Sequence, residues 1–268
     1  MSLSKNRTLR VRILVKAFPQ PSKAHEETVC CAGITDDGRE MLRLFPIRFR
    51  RLPREHQFDR FDLLEMTATK ASDPRPESFR VDEGSIRLIE RGNKLSDAAR
   101  IQLWQPFITR SLTQLHTENR ASNRSLGIIR PDPGSLKFIV KPAKDADAED
   151  RQIADQVLQM QQSSLLEAPL TPLEKPELAF VYRYTSDGQR HEHMIHDWEV
   201  QEAHRQYKRK YGAAALDHLK RMYGETIPAG NLHFIMGTMA AHPRTFIVIG
   251  LLRSALDPAE LARQGALF

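Results

Sequence analysis

The stretch of sequence that decides the fold is TLRVRILVKA at residues 8–17, followed by TVCCAGITDDGREMLRLFPI at residues 28–47. In the first segment apolar residues occupy nearly every second position, which is typical of a strand with one buried face. In the second segment Asp37-Gly38 separates two apolar runs, and this dipeptide favours a tight hairpin turn. The stretch therefore predicts three successive strands, with a proline-containing loop after the first.

Further strand patterns follow without a helical pattern between them. They are RFDLLEMTATKA at residues 60–71 and SIRLIER at residues 85–91. A doubly wound sheet needs a helix between successive strands, and none is indicated here. The first part of the chain therefore favours a small antiparallel barrel or sandwich.

The rest of the chain alternates between helical and strand patterns. Residues 95–118 have a helical period that Pro106 must bend or restart, with Ser96 near the N-terminal cap. A second Asp-Gly hairpin is expected at residues 187–188, and basic helices follow over 197–224. Strand patterns occur in RSLGIIRP, SLKFIVKP, ELAFVYRYTSDGQRHEHMIHDW, NLHFIMGTM and RTFIVIGLL.

We predict a mostly β, α+β protein with peripheral helices and two antiparallel β-barrels in tandem. The first barrel is expected over residues 1–94, connecting helices over 95–123 and the second barrel over 124–268. The second barrel includes an acidic helical insertion at 145–177, whose net charge is −6. One mixed β-sheet domain with peripheral helices is the alternative.

Composition narrows the class of protein. The chain has 268 residues, of which 40% are hydrophobic and 28% charged, as in ordinary globular proteins. No apolar run is long enough for a transmembrane helix, and the first residues lack the apolar core of a signal peptide. Adjacent strand residues point to opposite faces, so a disulfide between Cys30 and Cys31 is not expected. A reducing, cytoplasmic setting fits best.

The net charge of +6 is distributed in opposed blocks. Residues 42–60 have a net charge of +4, and phenylalanines lie between their arginines. Arginine beside aromatic rings is typical of single-strand binding, although a solvated turn whose phenylalanines fill the core explains the pattern equally well. The candidates for nucleic-acid binding here are Arg43, Arg48, Phe49, Arg50, Arg51 and Arg54.

A second basic block lies on the predicted helices. Residues 203–221 have a net charge of +5. This block is either a face that contacts phosphates or an exposed helix end. The candidates for nucleic-acid binding here are Arg205, Tyr207, Lys208 and Arg209. The loop at residues 73–78 adds Arg75, which either reaches a ligand or forms an internal salt-bridged turn.

The segment RHEHMIHDWE at residues 190–199 is the densest set of metal-ligating side chains. Its spacing matches no established metal motif, and a third ligand would have to come from Asp197, His233 or Glu77. A polar strand edge followed by an Asp197 helix cap is the favoured interpretation, and no metal is predicted. The alternative is a metal-dependent nuclease or hydrolase that uses His191, His193, Asp197 and Glu199.

Several short strings, taken together, match a known pattern. They are KAFP, TVCCAGI, RLFPI, DPRPES, SLGIIRP, HMIHDWE, FIMG and FIVIG. With these strings the sequence resembles a family of uncharacterised prokaryotic proteins, described as dual OB-fold domain proteins. The resemblance implies two OB barrels and a nucleic-acid-recognising component of conflict or defence loci. It supplies no catalytic residues.

We therefore expect a module that binds or senses nucleic acid, single-stranded or unusual DNA or RNA, in a prokaryotic defence or mobile-element context. A binding protein is expected in preference to an enzyme, with no cofactor and no membrane partner. A protein-binding adaptor, with the acidic segment at 145–177 as its docking element, is the other alternative. A protein partner in a defence complex is compatible with either binding function.

Overall fold

The computed structural model describes residues 6–22, 25–143, 170 and 176–257. Strands dominate and helices are few, which confirms the mostly β class. Within these residues, no helix combines the length and the apolar character needed to cross a membrane. The acidic helix expected within 145–177 lies almost wholly outside the described residues.

The described residues of the first half form seven strands. The Asp37-Gly38 turn lies between the third and the fourth, and Gly38 has a φ of 69°, as a tight hairpin requires. The loop expected between the first two long strands includes a short additional strand that pairs with the next one. The strands are β1 Arg7–Lys16, β2 Gln20–Ser22, β3 Glu26–Thr35, β4 Met41–Ile47, β5 Leu63–Lys70, β6 Ser78–Val81 and β7 Arg87–Glu90.

Five of these strands close into a barrel. Their order is β1-β3-β4-β6-β5, and β5 pairs back with β1. Every pairing in the ring is antiparallel except that of β4 with β6, which is parallel. Strand β6 was not predicted, because its four residues follow a proline-rich loop and are too few to show alternation. The barrel interior is filled by the inward side chains, among them Val11, Ile13, Leu44, Leu64 and Phe79.

Two helices connect the halves. Helix α1, Asp97–Trp104, begins after Ser96, whose side chain accepts a hydrogen bond from the amide of Ala99, as predicted. It ends before Pro106, which lies in a short 3₁₀ turn. Helix α2 covers Leu112–Ser122.

The second half forms two sheets. One has the order β10-β11-β12, and the other β14-β13-β9-β8. A parallel bridge between Ile195 and Val248 joins the end of β12 to β14. Among the residues described, these sheets do not form a clearly closed barrel, so the second of the two predicted barrels stays a prediction. The elements are β8 Ile108–Thr109, β9 Leu126–Ile129, β10 Lys137–Pro142, β11 Leu178–Ser186, β12 Gln189–Met194, α3 Trp198–Tyr211, α4 Ala215–Arg221, β13 Asn231–Thr238 and β14 Phe246–Ser254.

An apolar cluster joins the two halves. It combines outward side chains of β1, β3 and β4 with α1 and with the β9, β13 and β14 strands. Trp104 is 1% exposed, and its ring lies 4.8 Å from that of His233. The outer side of the first barrel is therefore covered by the second half. The buried residues of this interface include Leu14, Ala32, Ile34, Met41, Trp104, Ile128, Ile235 and Leu252.

Candidate nucleic-acid interface

Arg48, Arg50 and Arg51 of the first basic block are paired with acids. Arg48 Nε lies 2.8 Å from Glu83, Arg50 Nη1 lies 2.9 Å from Glu27, and Arg51 Nε lies 3.0 Å from Glu26. All three acids lie outside residues 42–60, so the local net charge of +4 overstates the charge of this surface. Arg54 differs from them because it is exposed and has no ion pair with a described residue.

Two predicted phosphate contacts are buried at the interface between the halves. Arg43 is 5% exposed, and its guanidinium donates to Ser125 Oγ at 2.7 Å. Arg75 is 7% exposed and donates to the carbonyl of Thr238 at 2.8 Å. A nucleic-acid strand bound at the surface cannot reach either guanidinium group. The assignment of both residues to a binding surface is therefore wrong. They connect the barrel to the second half instead.

The same interface explains the charged loop at residues 73–78. Arg75 donates to Asp73, and these hydrogen bonds lower the pKa of Asp73 to about 2. Glu77 accepts from the amide and the hydroxyl of Ser125, at 2.9 and 2.8 Å. The loop therefore serves as an internal, salt-bridged connection, which was one of its two interpretations.

The two predicted stacking residues use their rings in packing. The Phe49 ring is edge-on to those of Phe58 and Trp198, and Lys16 Nζ lies 4.2 Å from its centroid. Tyr207 packs against the core of the second half and is edge-on to Tyr211. Both rings are half-buried and take part in the protein's own aromatic contacts.

The second basic block is partly paired. Lys208 Nζ lies 3.0 Å from Glu177, and Arg205 lies 3.6 Å from Glu202 and 5.7 Å from the centroid of Phe18. Arg209 retains 73% side-chain exposure, with Glu202 at 3.9 Å. Lys208 and Arg209 therefore stay accessible, whereas Arg205 is 15% exposed and mainly packs α3 on the first half.

The residues of the alternative metal site are not brought together. Asp197 caps α3, accepting from the amide of Glu199, and its carboxylate lies 2.8 Å from Arg60. His191 and His193 point inward beside Tyr184, whose hydroxyl lies 3.2 Å from His193 Nδ1. Within the described part of the chain, no three His, Cys, Asp or Glu side chains are arranged to hold a metal ion. The proposed set His191, His193, Asp197 and Glu199 is therefore not a metal site in this structure.

The cysteines are free, and burial raises the pKa of both thiols. Arg43 and Arg75 partly offset this effect at Cys30, which is half-buried. A raised pKa leaves little thiolate at neutral pH, so neither residue is set up as a nucleophile.

A basic surface that sequence reasoning missed lies on the outward side of β10, β11 and β12. We call it the basic sheet face, and define it as Lys137, Lys141, Arg183, Arg190 and Glu192. The alternation of the strands places these side chains outward, since their neighbours Phe138, Tyr182, Tyr184, His191 and His193 point inward.

Charge pairing on the basic sheet face is incomplete. Arg183 Nη2 lies 2.7 Å from Glu192, and Lys141 bonds to the same carboxylate. One acid is therefore shared by two cations, while Lys137 and Arg190 are exposed. The five side chains have a net charge of +3. In the sequence, this face is indicated by the cations of LKFIVK at residues 136–141 and of RYTSDGQRHE at residues 183–192, which alternate with inward-facing residues.

Comparisons with known proteins address the family. The family model described as domain of unknown function DUF8758 matches residues 7–106. A second model, domain of unknown function DUF8757, matches residues 108–268, more than half of the chain. The chain belongs to the DUF8757 family. Its DUF8757 region contains the basic sheet face, and the DUF8758 region contains the closed barrel.

A search of curated proteins found no match to the sequence. Among solved structures, the chain is similar to the crystal structure of the tetrameric p202 HIN2, with 7% identity and a TM-score of 0.33. That match covers 96% of this chain and 98% of the other.

Proposed function

We propose that the protein binds single-stranded nucleic acid across the basic sheet face. The observation that carries the proposal is the charge of that face, where four cations surround Glu192 on one side of three adjacent strands. A cluster of lysine and arginine on one surface can contact the phosphates of a nucleic-acid backbone.

The topology supports the same surface. The first barrel has the strand order of an OB fold, in which the second and third strands carry the ligand. In the second half, β9 and β10 together take the place of a first strand, because β9 pairs with β13 and β10 with β11. On this assignment, β11 and β12 are the second and third strands of an open OB-like unit. They are also the strands that carry Arg183 and Arg190.

The first barrel does not offer the equivalent surface. Its second and third ring strands are β3 and β4, whose outward residues Ala32, Ile34 and Met41 are buried against the second half. This difference supports the second unit as the binding unit. We also propose that the two halves are tandem OB-like units, as the likeness to dual OB-fold domain proteins implies. The defence context is part of the same proposal. We propose a cytoplasmic location as well, because Cys30 and Cys31 are free thiols.

The composition of the face indicates the kind of binding. Its outward residues include Ile139 and Met194 but no aromatic ring among those described. Contacts to phosphates then dominate, so affinity falls steeply with salt and depends little on base identity. Arg54, Lys208 and Arg209 are proposed as further phosphate contacts, because all three are exposed.

The test is fluorescence anisotropy with a labelled single strand over a salt series. Replacing Lys137, Arg183 and Arg190 together by Gln removes three phosphate contacts. We expect weaker binding and a salt slope smaller by about 2, because each contact on a single strand contributes about 0.7.

A matched control keeps the change in net charge the same. Arg39, Arg87 and Arg120 are exposed and do not belong to β10, β11 or β12, and their triple replacement by Gln is expected to leave the slope nearly unchanged. Equal weakening in both variants would show that only overall charge matters. Absence of binding at about 50 mM salt would contradict the proposed function itself.

A further inference from the structure

An exposed aromatic ring, that of Phe45, lies on the outer side of the first barrel. Among the described residues it is the one exposed phenylalanine, tyrosine or tryptophan, with 43% of its surface accessible to solvent. It contacts no other ring and no cation in that part of the chain, whereas Phe49 and Phe58 pack edge-on to each other. A single exposed apolar side chain is common on proteins, so its meaning depends on what surrounds it.

Strand register places a cation beside this ring. Phe45 pairs with Arg80 across the parallel strands β4 and β6. The residues before them in each strand, Leu44 and Phe79, fill the barrel interior. Because side chains alternate along a strand, Phe45 and Arg80 both point outward and are direct neighbours.

Short side chains flank this pair on both sides. Arg80 pairs with Thr69 of β5, which points outward because Ala68 lies in the barrel interior. On the other side, Cys30 is the outward residue of β3, because Cys31 packs inside the barrel opposite β4. A thiol and a hydroxyl are too short to cover the ring or the guanidinium between them. We call this set the Phe45 row, and define it as Cys30, Phe45, Arg80 and Thr69.

The second half covers one end of the outward side of β4 and leaves the Phe45 row open. Met41 and Arg43 point outward from the same strand, and they are 6% and 5% exposed. Met41 belongs to the apolar cluster between the halves, and Arg43 donates to Ser125. Phe45 is the next outward residue, and the cover ends before it.

The charge of Arg80 is not paired within the described chain. Arg80 is exposed and forms no hydrogen bond or ion pair with a described residue. The two acids that follow it in the sequence are engaged elsewhere. Asp82 accepts from the amide of Gly84 at 3.2 Å, and Glu83 Oε2 lies 2.8 Å from Arg48 Nε. Arg80 therefore presents an accessible positive charge next to an accessible ring.

A nucleotide within a strand has the complementary chemistry. Its base has a flat face that stacks on an aromatic ring, and its phosphate accepts from a guanidinium. A protein partner is a poorer fit, because a stable interface buries about 800 Å² on each side. The apolar part of the Phe45 row is one ring, and its neighbours are a thiol, a cation and a hydroxyl.

We propose that Phe45 stacks on a base of the bound single strand while Arg80 contacts the adjoining phosphate. This inference rests on the proposed function, because it adds a base contact to the phosphate contacts of the basic sheet face. Every base has a face that can stack, so binding then requires bases but depends little on which base is present.

The experiment is fluorescence anisotropy with two labelled strands of about 15 nucleotides, one of thymidine and one abasic. We expect the unaltered chain to bind the thymidine strand more tightly. Phe45→Ala should raise the Kd for that strand at least about fivefold and leave the Kd for the abasic strand unchanged, because stacking needs a base. The matched control Ile89→Ala removes another exposed apolar side chain, on β7 of the same half, and should change neither Kd.

Two further variants separate the ring from its apolar bulk. Phe45→Leu keeps an apolar side chain without a ring, so it should weaken binding as Phe45→Ala does. Phe45→Tyr keeps the ring and should bind like the unaltered chain. Arg80→Gln should reduce the salt slope by about 0.7 for both strands, because it removes one phosphate contact.

Photocrosslinking locates the contact directly. A strand that contains 5-iodouracil should crosslink to the tryptic peptide LFPIR at residues 44–48. Crosslinks confined to other peptides, equal Kd values for the two strands, or an unchanged Kd in Phe45→Ala would overturn the inference.

The outcome for the proposed function is read separately. If the triple variant of the basic sheet face binds normally while Phe45→Ala weakens binding, the basic sheet face is wrong and the Phe45 contact stands. If the triple variant weakens binding and Phe45→Ala does not, the reverse holds. Absence of binding of either strand at about 50 mM salt would overturn both.

Discussion

Buried histidines make the stability of this protein sensitive to acid. Burial, together with the neighbouring charges of His191 and His116, lowers the pKa of His193 to about 4. Burial lowers the pKa of His233 to about 4 as well. Each of these groups is neutral in the folded protein over a range where the unfolded chain binds a proton.

We predict that stability falls as the pH is lowered from about 6.5 to 4. In this window the unfolded state binds more protons than the folded state, so the free energy of unfolding rises with pH and falls with acid. His193→Gln keeps a polar partner for Tyr184 and removes one such group. Urea unfolding at pH 7 and pH 4.5 should show a smaller loss in the variant. An identical loss would mean that His193 does not contribute.

At the scale of secondary-structure elements, Asp197 links a helix start to a barrel. It caps α3, accepts from Leu251 and forms an ion pair with Arg60, which is 16% exposed. Ser96 caps α1 in a simpler way, through one hydrogen bond to Ala99. Loss of the Asp197 cap therefore also breaks an ion pair, whereas loss of the Ser96 cap removes a single hydrogen bond.

We predict that Asp197→Ala lowers the free energy of unfolding by about 3–5 kcal/mol, because it leaves Arg60 buried without its closest charge partner. Ser96→Ala, the control, should cost about 1 kcal/mol, as an ordinary cap does. Chemical denaturation of both variants measures the difference. Equal losses would show that the ion pair adds nothing to the cap.

Local signals in the sequence predicted local structure well. The turns at 37–38 and 187–188 form hairpins, and Ser96 and Asp197 cap helices, because each depends on neighbouring residues. Strand β6 escaped prediction because its four residues are too few to show alternation. The basic block at 42–60 misled for another reason, since its acidic partners in β3 and at Glu83 are distant in sequence.

Across the whole molecule, the interface between the halves is both apolar and polar. The apolar cluster around Trp104 is flanked by the bonds of Arg43 and Glu77 to Ser125 and by that of Arg75 to Thr238. Opening the halves would expose this cluster and leave buried charged groups without partners. Separating the two halves while each stays folded is therefore unfavourable in free energy. This favours unfolding of the whole chain in one step.

We predict one cooperative unfolding transition for the whole chain. Trp104 lies at the interface, and Trp198 lies on α3 beside Phe49 of the barrel. Single-tryptophan variants, made with Trp104→Phe or Trp198→Phe, allow each site to be followed by fluorescence. The unfolding midpoint in each variant should coincide with its circular dichroism midpoint. Separate midpoints would show that the halves unfold independently.

The covered side of the first barrel also bears on how such a gene can be rearranged. A gene fragment that kept residues 7–106 alone would retain α1 but lose the cover that β9, β13 and β14 give to Leu14, Ile34 and Met41 on one side of the barrel. Apolar patches of this kind promote aggregation. We therefore expect a gene that separates the two regions to yield an aggregation-prone product, unless another chain covers this side of the barrel.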